Sequence, residues 1–145
     1  MGMLIGVDND ELKKTSIPIA YTLAKGVELR FSVMHPVLML ESRVCNVLGF
    51  EKYRTAHGLR QLRAAVICAR QYLLQMAPDD PDRVLTWNER IFKFRRSRSG
   101  KRIAAEHGVD VFEAIALASN LDAKFLTIRY PQMKEQVERL RAKRA

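Results

Sequence analysis

Cysteine is scarce: the 145 residues hold only Cys45 and Cys68, and neither sits in a Cys-x-x-Cys or Cys-x-x-His spacing. A disulfide framework or a zinc site is therefore excluded as the organising feature, and both thiols read as buried fillers within helices. Long apolar runs are missing as well. None approaches the roughly 18 residues that a membrane span needs, and Met1-Gly2-Met3 opens no signal peptide. The expected setting is a reducing cytoplasm, with no membrane partner. Glycine-rich phosphate loops are also wanting. Gly100-Lys101-Arg102 resembles the end of a P-loop but lacks its earlier glycine and its following Ser or Thr. Acid is in short supply: Asp plus Glu is 16 against 25 Lys plus Arg, a net charge of +9 and a pI near 9.9.

What is present is a one-domain chain, 48% hydrophobic and 28% charged, a balance that argues against global disorder. The first fifty residues are neutral, and the basic excess lies beyond them. It peaks from Lys93 to Arg102, where six of ten residues are basic and none is acidic. Such a field favours polyanions: nucleic acid, nucleotide phosphates or an acidic partner.

Apolar periodicity gives the architecture. Ile17, Ile19 and Tyr21 alternate with Pro18, Ala20 and Thr22, and Val27, Leu29, Phe31 and Val33 alternate with Glu28, Arg30 and Ser32, which predicts two strands. Ala24-Lys25-Gly26 turns between them, making an antiparallel hairpin whose Pro18 marks an edge. Met3, Leu4 and Ile5 read as the stub of another strand. A lone hairpin is marginal, so its apolar face should be covered.

Pro36 opens a helix with Val37, Leu40, Val44 and Val47 on one face, ended by Gly49. A long helix follows from Thr55 to Met76, with Leu59, Leu62, Val66, Ala69, Leu73 and Met76 as its packing seam and Arg60, Arg63 and Arg70 as a basic stripe beside it. Asp79-Asp80-Pro81-Asp82 restarts the chain, and Val84, Trp87, Ile91 and Phe94 form the core stripe of the next helix. A break is expected from Ser97 to Gly100, then a short helix from Lys101 to His107 stopped by Gly108. Asp110 and Glu113 resemble a capping box opening Val111 to Ala118, and Pro131 starts the last helix, with Met133, Val137 and Leu140 inward and Glu135–Arg139 paired. The sum is an α+β, mainly α fold: a hairpin segment over residues 1–35 packed on five to six helices over 36–145, one compact unit.

Several motifs bear on chemistry. Asp8 and Asp10 have the spacing that lets two carboxylates share a metal, but no Gly-Ser loop or third acid accompanies them. They read as a turn, with Asp10 capping Glu11 to Lys14. Arg102 and His107 have the Arg-x4-His spacing of the HEPN ribonucleases, with His107 as acid or base and Arg102 on the phosphate; the alternative is a histidine capping helix carbonyls before Gly108. Arg43 and Asn46 share a face of the Pro36 helix, where Arg43 would contact phosphate or pair with Glu41 or Glu51. His35 and His57 stand alone and support no metal. The candidate phosphate or nucleic-acid contacts are thus Arg43, Asn46, Arg60, Arg63, Arg95, Arg96, Arg98, Lys101 and Arg102. Phe92 and Phe94 within the basic run would stack bases, although their spacing places them in the core first.

Taken in order, Gly6-Val7-Asp8, Val33 to Asn46, Gly58 to Arg63, Glu106 to Val111 and Phe125 to Met133 around Arg129-Tyr130-Pro131 resemble the C-terminal portion of nucleotidyltransferase-like proteins of the DNA polymerase β superfamily, of the abortive-infection and toxin–antitoxin type. In that family the catalytic half precedes these segments and carries Gly-Ser, a metal-binding Asp-x-Asp and a third acid, none of which maps onto this chain. The resemblance implies a hairpin completing a small sheet and a helical lobe closing over nucleotide or acceptor. It implies no catalytic residue and no cofactor on this chain, with magnesium only where a catalytic half is supplied elsewhere. The expected function is a non-catalytic lobe that binds nucleotide, RNA or a partner through its basic surface, the partner being the missing catalytic half or a toxin or antitoxin. The alternatives are a free-standing basic helical nucleic-acid-binding protein and a HEPN-like ribonuclease using Arg102 and His107.

Overall fold

The computed structural model describes residues 8–143. Six α-helices and one two-stranded antiparallel sheet follow in the order α1 (Asn9–Thr15), β1 (Ile17–Thr22), β2 (Glu28–Val33), α2 (Pro36–Gly49), α3 (Ala56–Met76), α4 (Pro81–Arg96), α5 (Arg98–His107) and α6 (Tyr130–Ala142). The mainly α architecture with an N-terminal hairpin is as the periodicities predict. The suggested strand stub at Met3 to Ile5 lies outside the described residues.

The helices start where local chemistry allows. Pro36 and Pro81 occupy first-turn positions, where the missing N–H costs nothing, and Thr55 and Asp80 accept from Gly58 N and Arg83 N. Asp8, rather than Asp10, caps α1, accepting from the Asp10 N–H at 3.0 Å. The turn reading of this pair stands with the roles exchanged.

The core joins the inner faces of α2 (Val37, Leu40, Val44, Val47), α3 (Leu62, Val66, Ala69, Leu73) and α4 (Val84, Trp87, Ile91, Phe92), closed by Ile103, Met133 and Val137. Fully burying each large aliphatic side chain contributes about 1.5–3 kcal/mol, so this contiguous cluster dominates stability. Phe92 rather than Phe94 is the fully buried aromatic of α4; Phe94 is half-buried. Cys68 faces solvent and Cys45 is half-buried, so neither is a buried filler.

Three stretches depart from expectation. The break before α5 is Ser97 alone: its hydroxyl donates to the Phe94 carbonyl at 2.5 Å and accepts from Gly100 N at 3.2 Å, so the helix begins at Arg98. The predicted helix after Asp110 shrinks to a 3-10 turn over Val111–Ala114. Asn88 explains this, since its side chain accepts from Ala116 N and donates to Ala116 O, both at 2.9 Å, and so takes backbone groups that a helix would need. A π-helical turn, Phe125–Arg129, runs directly into α6, which therefore starts one residue before Pro131.

The hairpin pairs Ile17 with Val33, Ile19 with Phe31 and Tyr21 with Leu29, which puts six apolar side chains on one face. Gly26 takes φ +75° in the turn. The expected cover for this face is not provided by the described residues. Only Ile17 and Val33 at the base are half-buried, while Ile19, Leu29, Phe31 and Tyr21 are 37, 45, 49 and 59% exposed.

Candidate anion-binding groove

The exposed flank of α4 forms one wall of an open groove of about 700 Å³, completed by Glu41 of α2, Ser97 and Arg129 of the π turn. Thr86, Glu89, Arg90, Lys93 and Arg96 face it from α4 at helical spacing, opposite the buried stripe of Val84, Ile91 and Arg95. Phe92 lies at its floor. The guanidinium carbons of Arg96 and Arg129 lie 5.4 and 5.2 Å from that ring's centroid, within cation–π range.

Four cations line this groove, and they divide by their partners. Arg129 is held bidentately by Glu89 at 2.7 and 2.8 Å. Arg90 bridges two carboxylates, donating to Glu41 at 2.8 and 3.0 Å and to both carboxylate oxygens of Glu11 from α1. The two acids that converge here therefore enclose a guanidinium. Among the described residues no group of three His, Cys, Asp or Glu side chains is gathered as a metal would require. Lys93 and Arg96 are exposed and have no carboxylate within ion-pair distance among the described residues, and the same holds for Arg98 at the start of α5. Lys93 and Arg96 are thus the groove's cations not held by an acid, and Arg98 follows them in the chain.

The remaining residues singled out in the sequence are dispersed. Arg95 is a correction: it is fully buried, its Nε donates to Asp110 at 2.8 Å, and it cannot reach a phosphate. Arg102 lies on α5 and donates to Glu106 at 3.0 and 3.3 Å. Lys101 is exposed beside it, along a separate shallow groove with Leu140 and Lys143. On α2, Arg43 donates to Gln61 of α3 at 3.3 Å rather than to Glu41 or Glu51, and Asn46 has its side-chain oxygen buried without a partner. Arg60 is exposed on α3, and Arg63 reaches the His107 carbonyl at 3.5 Å. None of Arg43, Asn46, Arg60 or Arg63 lines the α4 groove. Glu41, Glu89, Arg90 and Arg129 are not among the candidate contacts read from the sequence. Glu41 and Glu89 are ordinary acids until α4 and the π turn bring Arg90 and Arg129 to them, so no local pattern marks them.

His35 caps α2, its Nδ1 accepting from Val37 N at 3.1 Å, and stacks on Trp87 with centroids 3.8 Å apart. Burial first, then the charges of Arg83 and Arg90, lower its pKa to about 4. The neutral ring is thus the native form. Its stabilising effect is complete above the ordinary value near 6.5 and is lost as pH falls from there through about 4. Between pH 7.5 and 4.5 the urea midpoint should drop by the equivalent of about 2–3 kcal/mol. In His35→Asn, which keeps a capping oxygen, that segment of the pH profile should be flat; an equal slope in both proteins would remove His35 as its cause.

Comparison with protein-family models, with curated proteins and with solved structures found no match to this chain.

Proposed function

We propose that the chain is a non-catalytic holding lobe, of the nucleotidyltransferase-like type that its sequence resembles, whose α4–α5 face grips the phosphates of a nucleotide or RNA. The observation that carries this reading is the pair of cations without acid partners, Lys93 and Arg96, in an open groove floored by Phe92, with a third, Arg98, following at the start of α5. Cations placed this way suit phosphates, because each contact releases counterions and no internal ion pair has to break first. The bare apolar face of the hairpin supports the lobe reading over a free-standing module. A two-stranded ribbon with Ile19, Tyr21, Leu29 and Phe31 in water gains from a second polypeptide, and the expected partner is one that carries the catalytic half. No observation favours the HEPN-like reading, because the Arg102 guanidinium is engaged by Glu106.

The test is binding of a fluorescently labelled single-stranded RNA. The triple substitution Lys93→Gln, Arg96→Gln, Arg98→Gln should weaken it at least about tenfold, each lost phosphate contact contributing about 0.5–1.5 kcal/mol. Arg139→Gln, on α6 and paired with Glu135 at 2.5 Å, should leave it unchanged. Equal losses in both variants would point to net charge alone and sink the groove assignment.

A further inference from the structure

Residues 18–32 are exposed throughout, so the hairpin stands clear of the helical body and, among the described residues, both of its edges are open. The two edges differ. Leu23 and Val27 continue the register beyond Thr22 and Glu28, and the Leu23 N–H donates to the Val27 carbonyl at 2.8 Å. Directly opposite residues bond each other only at every second position of an antiparallel ladder. The inward-bonding pairs are therefore Tyr21 with Leu29, Ile19 with Phe31 and Ile17 with Val33, and the backbone groups between them point outwards. On β1 these belong to Pro18, Ala20 and Thr22, and Pro18 has no N–H to offer. On β2 they belong to Glu28, Arg30 and Ser32, each with an N–H and a carbonyl. No hydrogen bond from elsewhere in the described residues reaches them.

An open strand edge of this kind accepts another strand. Its side chains say which. Glu28 and Arg30 lie on the polar face, two residues apart, with opposite charge and with side chains 46 and 80% exposed. Natural edges are often guarded by charge of one sign, especially lysine, which repels a second copy. Here the signs alternate. Let β2 pair antiparallel with β2 of a second copy, two-fold about Leu29: Glu28 then stands opposite the second copy's Arg30, and Arg30 opposite its Glu28. The four groups form a square in which each charge has opposite charges beside it, along and across the strands. The same register joins outward-pointing backbone groups to one another, as a ladder requires, and sets Leu29 against Leu29 and Phe31 against Val27. Moving the two-fold to Glu28 or to Arg30 would put like charges directly opposite. With the two-fold at Leu29, Val33 at the hairpin base lies about 14 Å away, so the two helical bodies fall at opposite ends of the joined sheet.

We infer that the β2 edge is a self-association surface, on which a second copy of this chain docks to make a four-stranded antiparallel sheet with two Glu28–Arg30 pairs between the copies. The joint uses the strand edge and the polar face, leaves most of the apolar face open, and does not rest on the function proposed above.

Sedimentation equilibrium at low salt tests this. The mass of the unaltered chain should rise with concentration from 16.6 kDa towards twice that value. Glu28→Arg should weaken the dimer at least about tenfold, because both pairs become like-charged, and Arg30→Glu should do the same. An equal mixture of the two variants should regain the dimer, since every arginine then faces a glutamate. Both positions are exposed, and circular dichroism checks that each variant is folded. A monomer at all concentrations up to about 1 mM would overturn the proposal and leave the edge to a different strand. A dimer indifferent to both charge reversals would overturn it in favour of contact through the apolar face. Failure of the mixture to regain the dimer would overturn the paired register.

Discussion

Replacing Asp110 by Ala should destabilise the protein by about 3–5 kcal/mol, the largest effect expected of any single carboxylate here. Arg95 is fully buried, its Nη1 and Nη2 have no hydrogen-bond partner, and Asp110 is its ion-pair partner, 2.8 Å from Nε. Removing the acid leaves an uncompensated charge in the core. It also frees Arg141 of α6, which reaches the other carboxylate oxygen at 2.9 Å, and Phe112 N, which donates to Oδ1 at 2.9 Å. Asp110 thus ties α4, the Val111–Ala114 turn and α6 together. Arg95→Met should cost less, about 1–3 kcal/mol, because Asp110 keeps Arg141 and the methionine stem retains much of the packing. Urea midpoints of the two variants settle the order. A larger loss in Arg95→Met would mean that packing of the arginine stem, rather than charge compensation, governs this site.

Acid should act through the same carboxylate. Burial alone would raise the pKa of Asp110, but the Arg95 hydrogen bond and charge, the Phe112 N–H and Arg141 outweigh it and hold the carboxyl below the usual range. A depressed folded-state pKa means stability that is complete above the unfolded value near 3.8 and is lost as pH falls through the lower folded value. This acid limb lies below the window attributed to His35.

Gly100→Ala should also destabilise, by about 2 kcal/mol or more, although helix propensity alone argues for a gain of about 1 kcal/mol inside α5. A Cβ at this position would overlap the Phe94 carbonyl oxygen and stand 2.7 Å from Arg95 Cα and 2.8 Å from Arg95 O. Those neighbours are backbone and cannot swing aside, so the α4–α5 corner would have to open. Thermal unfolding checks the sign. A raised midpoint would show that the corner yields more easily than its close approach implies.

Gly100 illustrates what could be read in advance. Its neighbours Lys101 and Arg102 suggest phosphate chemistry, yet the glycine is required because two helices turn through Ser97 with their backbones nearly touching. The residues that open the helices, Pro36, Thr55, Asp80 and Pro81, were legible because capping is local. So was the hairpin, since alternation on either side of the Ala24–Gly26 turn marks two strands whose apolar side chains share a face. Helix length after Asp110 was not, because Asn88, more than twenty residues earlier, binds both backbone groups of Ala116. The basic run was legible as charge but not as surface. Arg95 and Arg96 are adjacent, and on a helix that is enough to send one into the core and the other into the groove. Pairing partners far apart in sequence, Arg90 with Glu11 and Arg129 with Glu89, carry no local signature, so which cations remain available could be known only from the fold.

The central claim is that Lys93, Arg96 and Arg98 hold polyanions, and the salt dependence of RNA binding tests it most directly. Three phosphate contacts on a single strand predict a log–log slope of about −2, or roughly a 20-fold loss of affinity between 50 and 200 mM salt, falling towards zero in the triple glutamine variant. A flat dependence in the unaltered protein, or the same slope in the variant, would contradict it.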